Sequence, residues 1–578
     1  MMDFESLPNE ILLSCFEYLN GKDIFHGFDG LNCRFNILIQ NVPLYLNFEH
    51  IRKSIFDQFC TRILLNPVMK SAIYSLRLSD AMDTCNQIQA FLHFFHLNEF
   101  PNLRLLTLID IERNISLEDI LLSLSNLREF YFITKYSHRH QLLASVPSTL
   151  RVLSMPESFL DFIPIDKILS VTHLILSGSV YPIQLYQIFK CLPMLEYLKV
   201  ENLCFSSNLD LSLVSSKAVH LTQFIAGIRL IQFDSLEFLF KQMQNFKNLN
   251  LFSPYSKEIC DAYRWERIIS SSLSNLNIFQ FHFHIDRCDY RGVIVLYKDL
   301  ILNQFQQFQT DFWHKEHQWH TAYELTQKFA TIFTIPYSSK NYTLTLDTNT
   351  NCKMMINKSK LLSNVTQLTY FPRTEILHHY FSNVKSLIFN PERLGYNNIE
   401  LNYQYIQVLK LNVNLSNVKY LEFPWNYTMK SSLLLEILKE TPNVSSITVP
   451  KSSLVPLFSN YEAREYLNRM IKKLVVNGTD SLFTSYELEH FCNIFSNLEH
   501  LECVITSLNE LFYILCQLSK LSSIQVSSIV EGDIDNIDLF EEKIGPKLKQ
   551  NFMFHLHYRN IHYDTTRLYI WIGENIIT

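Results

Sequence analysis

The stretch Pro101-Asn102-Leu103-Arg104-Leu105-Leu106-Thr107-Leu108 returns 24 residues later as Ser125-Asn126-Leu127-Arg128-Glu129-Phe130-Tyr131-Phe132. Both place apolar residues in the frame Φ-x-x-Φ-x-Φ directly after an asparagine. The last two Φ positions alternate with a non-frame residue, the period of a strand with one buried face.

Working outward, the frame recurs along most of the 578 residues. One copy begins earlier, at Ile73, and the frame then starts at Leu103, Leu127, Leu150, Val171, Leu195, more weakly at Leu221, and at Leu276. In the second half it starts at Val365, Val384, Val418, Val444, Ile471, Leu498 and Leu521. The spacings are 24, 23, 21, 24 and 26 from Leu103 to Leu221, and 26, 27, 27 and 23 from Val418 to Leu521. Helical stretches lie between copies, for example at Leu185–Phe189, Leu433–Leu438, Leu488–Phe495 and Leu508–Leu518.

One such unit is not stable alone. Burying its three frame residues is worth roughly 5–9 kcal/mol at best, whereas ordering about 24 residues costs near 36 kcal/mol. Stacked copies share their faces and edges and overcome that deficit. Frame and period resemble those of leucine-rich repeats. The resemblance implies an α/β fold: a degenerate leucine-rich-repeat solenoid with parallel strands on its concave side and helices on its convex side. The asparagine or cysteine usual three residues past the last Φ is mostly replaced, by Ile111, Lys135 and Thr506 among others, so irregular loop ladders are expected. From 276 to 365 no clean copy occurs, which predicts an interruption over 282–364, with Tyr342-Thr343-Leu344-Thr345-Leu346 as a candidate strand inside it. The interval from 365 to 384 is too short for a full helical return.

The N-terminus is different. Leu7-Pro8-Asn9-Glu10 opens a helix, with Pro8 suited to its first position and Glu10 to its first turn. Ile11, Leu12, Cys15, Phe16 and Leu19 form an apolar stripe, and Asn20-Gly21 is read as the stop. Asp23 is a candidate N-cap for a second helix carrying Ile24 and Phe28, and a third runs through Leu31, Phe35, Leu38 and Ile39. Three helices in about forty residues make a small core that usually needs a partner. Leu7, Pro8, Glu10, Ile11, Leu12, Phe16, Leu19, Asp23, Ile24, Phe28, Leu31, Arg34 and Phe35 closely resemble the F-box pattern, with Phe35 where many F-boxes have tryptophan. That resemblance implies a Skp-type adaptor as partner, and through it a cullin-RING ubiquitin ligase. It also implies an adaptor face built from Leu7, Pro8, Ile11, Leu12, Phe16 and Leu19.

The expected organisation is therefore 1–45, F-box domain; 46–72, linker helices; 73–530, repeat solenoid irregular at 282–364; and 531–578, C-terminal cap. The expected function is substrate recognition for a Skp-cullin-F-box ligase, with an unidentified protein client on the repeat array. The alternative is a leucine-rich-repeat interaction scaffold that does not engage a ligase. Outward strand positions include Tyr131, His173, Tyr197, Lys199 and Tyr420, whose mix of aromatic and singly charged side chains suits a protein client.

Composition bears on the other function classes. The formal net charge is −6 and no run of Lys or Arg exceeds two, so no nucleic-acid or anionic-membrane partner is expected. The acidic start Met1-Met2-Asp3-Phe4-Glu5 does not read as a signal peptide, and no apolar run reaches the roughly 18 residues of a membrane span. The twelve cysteines contain no C-x-x-C pair, which fits a cytoplasmic or nuclear setting. The glycine count of 11 and the lack of G-x-G-x-x-G, P-loop or G-x-S-x-G argue against an enzyme and against a bound cofactor. His282, His284, His314, His317 and His320, with Glu316, form the most metal-like cluster. Its spacing is not H-E-x-x-H, and no fourth ligand accompanies it, so no metal site is expected. Asp533 to Asp538 lacks the glycine and distal glutamate of a calcium loop.

Overall fold

A computed structural model describes residues 4–81, 84, 86–111, 115–134, 146–162, 169–205, 217–229, 233–253, 258–287, 298–326, 329–345, 349–352, 361–371, 380–390, 403–424, 430–477, 483–505, 507–527, 556–560 and 566–572. The chain is α/β, with long sheets of mainly parallel strands interleaved with helices. It divides into two compact units. One comprises 1–249 with 268–276, and the other 250–267 with 277–575. No described helix is long and apolar enough to cross a membrane.

The first unit opens with three eight-residue helices, α1 (Asn9–Phe16), α2 (Gly21–Phe28) and α3 (Cys33–Gln40). Pro8 is the cap of α1 and stands one residue outside the helix. Asn20 does more than end a helix. Its side chain accepts from Asp23 N at 2.9 Å and so caps α2, displacing Asp23 from the predicted capping role. Asn32 caps α3 in the same way through Phe35 N, which leaves Leu31 outside the helix and exposed. Phe16, Phe28 and Phe35 meet in the centre, with ring centroids 4.9 to 6.4 Å apart.

The sheet of this unit begins sooner than the repeat frame suggests. Residues Leu44–Asn47, across the boundary expected between the F-box segment (1–45) and the linker helices (46–72), form a strand paired with Ile73–Ser79. The helices Lys53–Leu65 and Pro67–Ala72 follow it. From there the strands Ile73–Ser79, Leu105–Ile109, Glu129–Ile133, Val152–Pro156, His173–Val180, Tyr197–Cys204 and Gln223–Arg229 pair in chain order, all parallel. Parallel neighbours need a crossover between them. Helices Gln87–Phe94, Leu117–Leu122 and Pro182–Cys191 supply three of these.

Register follows the frame. Leu76, Leu106, Phe130, Leu153, Leu174, Leu198 and Phe224 face one another across successive strands, and all are buried. A one-residue slip would turn this row to solvent, so the apolar pattern holds the register.

In the second unit the frame breaks. Ile278–Asp286, Phe329–Thr334, Thr321–Leu325 and Asn349–Cys352 pair in that order, each antiparallel to the next. An aromatic cluster occupies the region. Trp313 is buried against Phe281, Phe308 and Trp319, and its indole N–H donates to Glu266 at 3.0 Å. The predicted strand near Tyr342 is present as Asn341–Leu344. It starts a second run of parallel strands that resumes the frame: Gln367–Tyr370, Ser386–Phe389, Tyr420–Glu422, Ser446–Pro450, Lys473–Asn477, His500–Val504 and Ser523–Ser527. Thr566–Trp571 then adds antiparallel to Ser523–Ser527, and Leu556–Asn560 to Thr566–Trp571. The acidic stretch 533–538, and residues 372–379 of the short interval from 365 to 384, lie outside the described residues.

Candidate protein-interaction surfaces

The helical stripe predicted on α1 spans two faces of the helix. Leu12 is 0% exposed and Phe16 is 1% exposed, both inside the small helical core. Ile11, by contrast, is 48% exposed on α1, and Tyr18, in the turn just past its C-cap, is 89% exposed. Pro8 is exposed, and Leu7, Cys15 and Leu19 are half-buried. Of the six residues expected to meet an adaptor, Ile11 and Pro8 are outward, Leu7 and Leu19 lie at the edge, and Leu12 and Phe16 are core. Leu31, between α2 and α3, and Ile37, on α3, are also exposed apolar residues of this module and were not in the predicted set.

Arg34 organises the start of α1, a role that nothing in its neighbourhood in sequence announces. Its Nε donates to Asn9 Oδ1 at 2.7 Å, and its two terminal nitrogens donate to the carbonyls of Glu5 and Leu7. The planar guanidinium thereby straps the Leu7-Pro8 turn onto α3.

The asparagine preceding each frame has a similar explanation. Asn102 Nδ2 donates to Ser71 O at 2.8 Å and Asn126 Nδ2 to Pro101 O at 3.2 Å. The pattern resumes with Asn383 to Ser363 O at 2.7 Å, Asn417 to Ser382 O at 2.8 Å and Asn443 to Ser416 O at 2.7 Å. Where asparagine is missing, the hydroxyls of Thr149 and Ser170 take the bond, to Ser125 O and Ser148 O. The ladder this chain builds thus lies ahead of its strands, each rung reaching back to the previous turn and satisfying a carbonyl there.

The outward strand positions form rows as well. Glu129, Val152, His173 and Tyr197 are successive partners in one row, and Tyr131, Ser154, Ile175 and Lys199 in the next. His173 and Tyr197 stack with ring centroids 5.5 Å apart. The Tyr131 hydroxyl donates to Glu129 at 3.1 Å. Burial, and after it the Glu129 carboxylate, pushes the Tyr131 pKa up to about 12. Burial also raises Tyr197, so both present neutral hydroxyls over the physiological range. Lys199 is exposed. Tyr131, His173, Tyr197 and Lys199 therefore share one sheet face of the first unit. Tyr420 belongs to the second unit and bonds there to Glu422 at 2.7 Å and Thr448 at 3.0 Å.

The histidines are spread over several settings. His282 and His284 project from the strand Ile278–Asp286. His282 lies 5.1 Å from the Tyr337 ring, and burial pushes its pKa down to about 3. His284 lies near Thr331 and Asp286, at 3.1 and 3.4 Å. His317 stacks on Trp319 and His314 packs against His320. Among the described residues no group of three or more His, Cys, Asp or Glu side chains is placed to hold a metal ion.

Comparison with known proteins gives little. No family model matches the sequence, and no curated protein matches it. Among solved structures, a plant peptide hormone receptor, RGFR1 in complex with RGF2, aligns over 79% of this chain and 64% of that one, with 11% identity and a TM-score of 0.15. The chain thus spans just under two thirds of that receptor's length, and a likeness at this level identifies neither fold nor function.

Proposed function

We propose that the chain is the substrate-recognition subunit of a Skp-cullin-F-box type ubiquitin ligase, with helices α1–α3 as an F-box and the strand–helix repeats as a degenerate leucine-rich-repeat array. The observation that carries this reading is at the N-terminus. A Leu-Pro turn held by Arg34 starts three short helices around Phe16, Phe28 and Phe35, and this arrangement leaves Ile11, Leu31 and Ile37 outside the core. Exposed apolar side chains on so small a module are what a partner surface supplies the cover for. The in-register rows of buried frame residues, with the asparagine ladder ahead of them, support the repeat reading.

The mechanism is proximity. The helical module holds the adaptor, the sheet face holds the client, and the ligase transfers ubiquitin at the raised effective concentration that results. The client surface is placed around Tyr131, His173, Tyr197 and Lys199. Rigid aromatics with neutral hydroxyls bury much area at little entropic cost, which makes the two tyrosines the anchors. The second reading, a repeat scaffold without ligase contact, keeps the client face and drops the adaptor.

Affinity capture from cells with the proteasome inhibited separates the two. The full chain should bring down a Skp-type adaptor, and the chain lacking 1–45 should not. The Tyr131→Ala/Tyr197→Ala double variant should keep the adaptor and release the client. If the full chain captures no adaptor, the ligase reading fails.

A further inference from the structure

One row of the second unit carries charge that the sequence does not advertise. Lys340, Thr366, Lys385, Lys419 and Ser445 lie on adjacent chain segments, joined in that order by backbone hydrogen bonds of 2.7 to 3.0 Å. Together with the ladder asparagines and the serines beside them they line a groove of about 720 Å³. None of its lining residues is acidic and none is aromatic. The three lysines are exposed, and none of them makes an ion pair with a described residue. The positive stretch has a definite end, because the next lysine along the row, Lys472, is paired with Glu499 at 3.3 Å.

Three exposed lysines around one polar groove, in a chain of net charge −6, concentrate positive potential there, which favours an anionic partner. Adjacent strands are about 4.8 Å apart, so Lys340 to Ser445 spans roughly 19 Å, the length of about six residues of extended peptide. Single-stranded nucleic acid fits less well, since it is held by aromatic stacking along a longer basic track. We propose that this groove binds an extended acidic segment of a partner protein, with its carboxylates or phosphates seated on Lys340, Lys385 and Lys419. The groove belongs to the second unit, whereas α1–α3, Tyr131, His173, Tyr197 and Lys199 belong to the first, and the proposal does not rest on the ligase reading.

The test is fluorescence anisotropy on the full chain with short labelled peptides carrying three glutamates, three phosphoserines or three serines. Either or both anionic peptides should bind, more weakly as salt rises, and the neutral one should not. The tighter of the two identifies the group recognised. Lys340→Ala/Lys385→Ala/Lys419→Ala should weaken binding by roughly threefold to 150-fold, the sum expected for three exposed ion pairs. Lys439→Ala, which removes a lysine paired with Glu462 at 2.8 Å outside the groove, should leave binding unchanged. Circular dichroism should show the triple variant folded, and Lys419→Ala alone should give a smaller loss in the same direction. The proposal is overturned if neither anionic peptide binds, if the serine peptide binds as well, or if the folded triple variant binds like the parent. It is equally overturned if a single-stranded oligonucleotide binds more tightly than the peptides and loses affinity in the same variant.

Discussion

Two neighbouring residues on α1 should separate docking from folding. Ile11 is 48% exposed and Leu12 is 0% exposed, although they are adjacent in one apolar stripe. Fully burying an isoleucine is worth about 1.5–3 kcal/mol, and roughly half of that side chain is still available to a partner. Ile11→Ala should therefore cost an adaptor about 0.7–1.5 kcal/mol, a three- to twelvefold loss of affinity. Ile11→Asp should lose several kcal/mol more, since it asks the interface to desolvate a carboxylate. Neither variant should disturb the helices much, because the side chain supports little of their core. Leu12→Ala should behave in the opposite way. It opens a cavity among the packed helices and should destabilise them by about 2–5 kcal/mol. Leu12→Asp would unfold them and so cannot report on docking. The assays are titration of purified adaptor onto the full chain, and amide hydrogen exchange over 9–40. If Ile11→Asp binds the adaptor like the parent while exchange is unchanged, the outward face of α1 is not the docking surface. If Leu12→Ala leaves exchange unchanged, the placement of the core is wrong.

Two further outcomes follow from packing and burial. A Cβ on Gly227 would lie 2.1 Å from the carbonyl oxygen of Glu201 on the adjacent strand, so Gly227→Ala should destabilise the first unit by about 1–3 kcal/mol, read by denaturant unfolding. His282 has its pKa pushed down to about 3 by burial beside Phe333 and Tyr337, against about 6.5 when unfolded. The folded state holds it neutral, so its contribution is intact above pH 6.5 and is lost as pH falls below that, by up to about 1.4 kcal/mol per pH unit. Unfolding curves across that window should fall less steeply for His282→Gln; equal slopes would show that the ring is hydrated when folded.

The rest of the N-terminal module shows where sequence reading stops. The apolar stripe is visible in the sequence, but a stripe that includes both i and i+1 neighbours is wide enough to straddle a boundary between core and solvent. Which edge faces inward depends on where α2, α3 and Leu44–Asn47 pack. The capping residues were similarly ambiguous. Asn20-Gly21 reads as a stop, and only the position of Asp23 N against the Asn20 side chain shows that it starts the next helix.

Repeat period, strand register and the identity of the buried row were all determined by the sequence alone. A frame of fixed spacing buries the same positions in every copy, and burial is local to a strand and its two neighbours. The interruption near 282–364 was legible for the same reason, as a gap in the pattern. The antiparallel pairing that fills it was not, because it joins segments whose partners are chosen by the aromatic packing around Trp313. Electrostatics belongs wholly to the tertiary structure. Lys340, Lys385 and Lys419 are 45 and 34 residues apart and form no run in the chain, yet strand stacking sets them in one row. Charge acts through distance in space, and in a repeat fold the distance between successive copies is one strand spacing, however many residues lie between them.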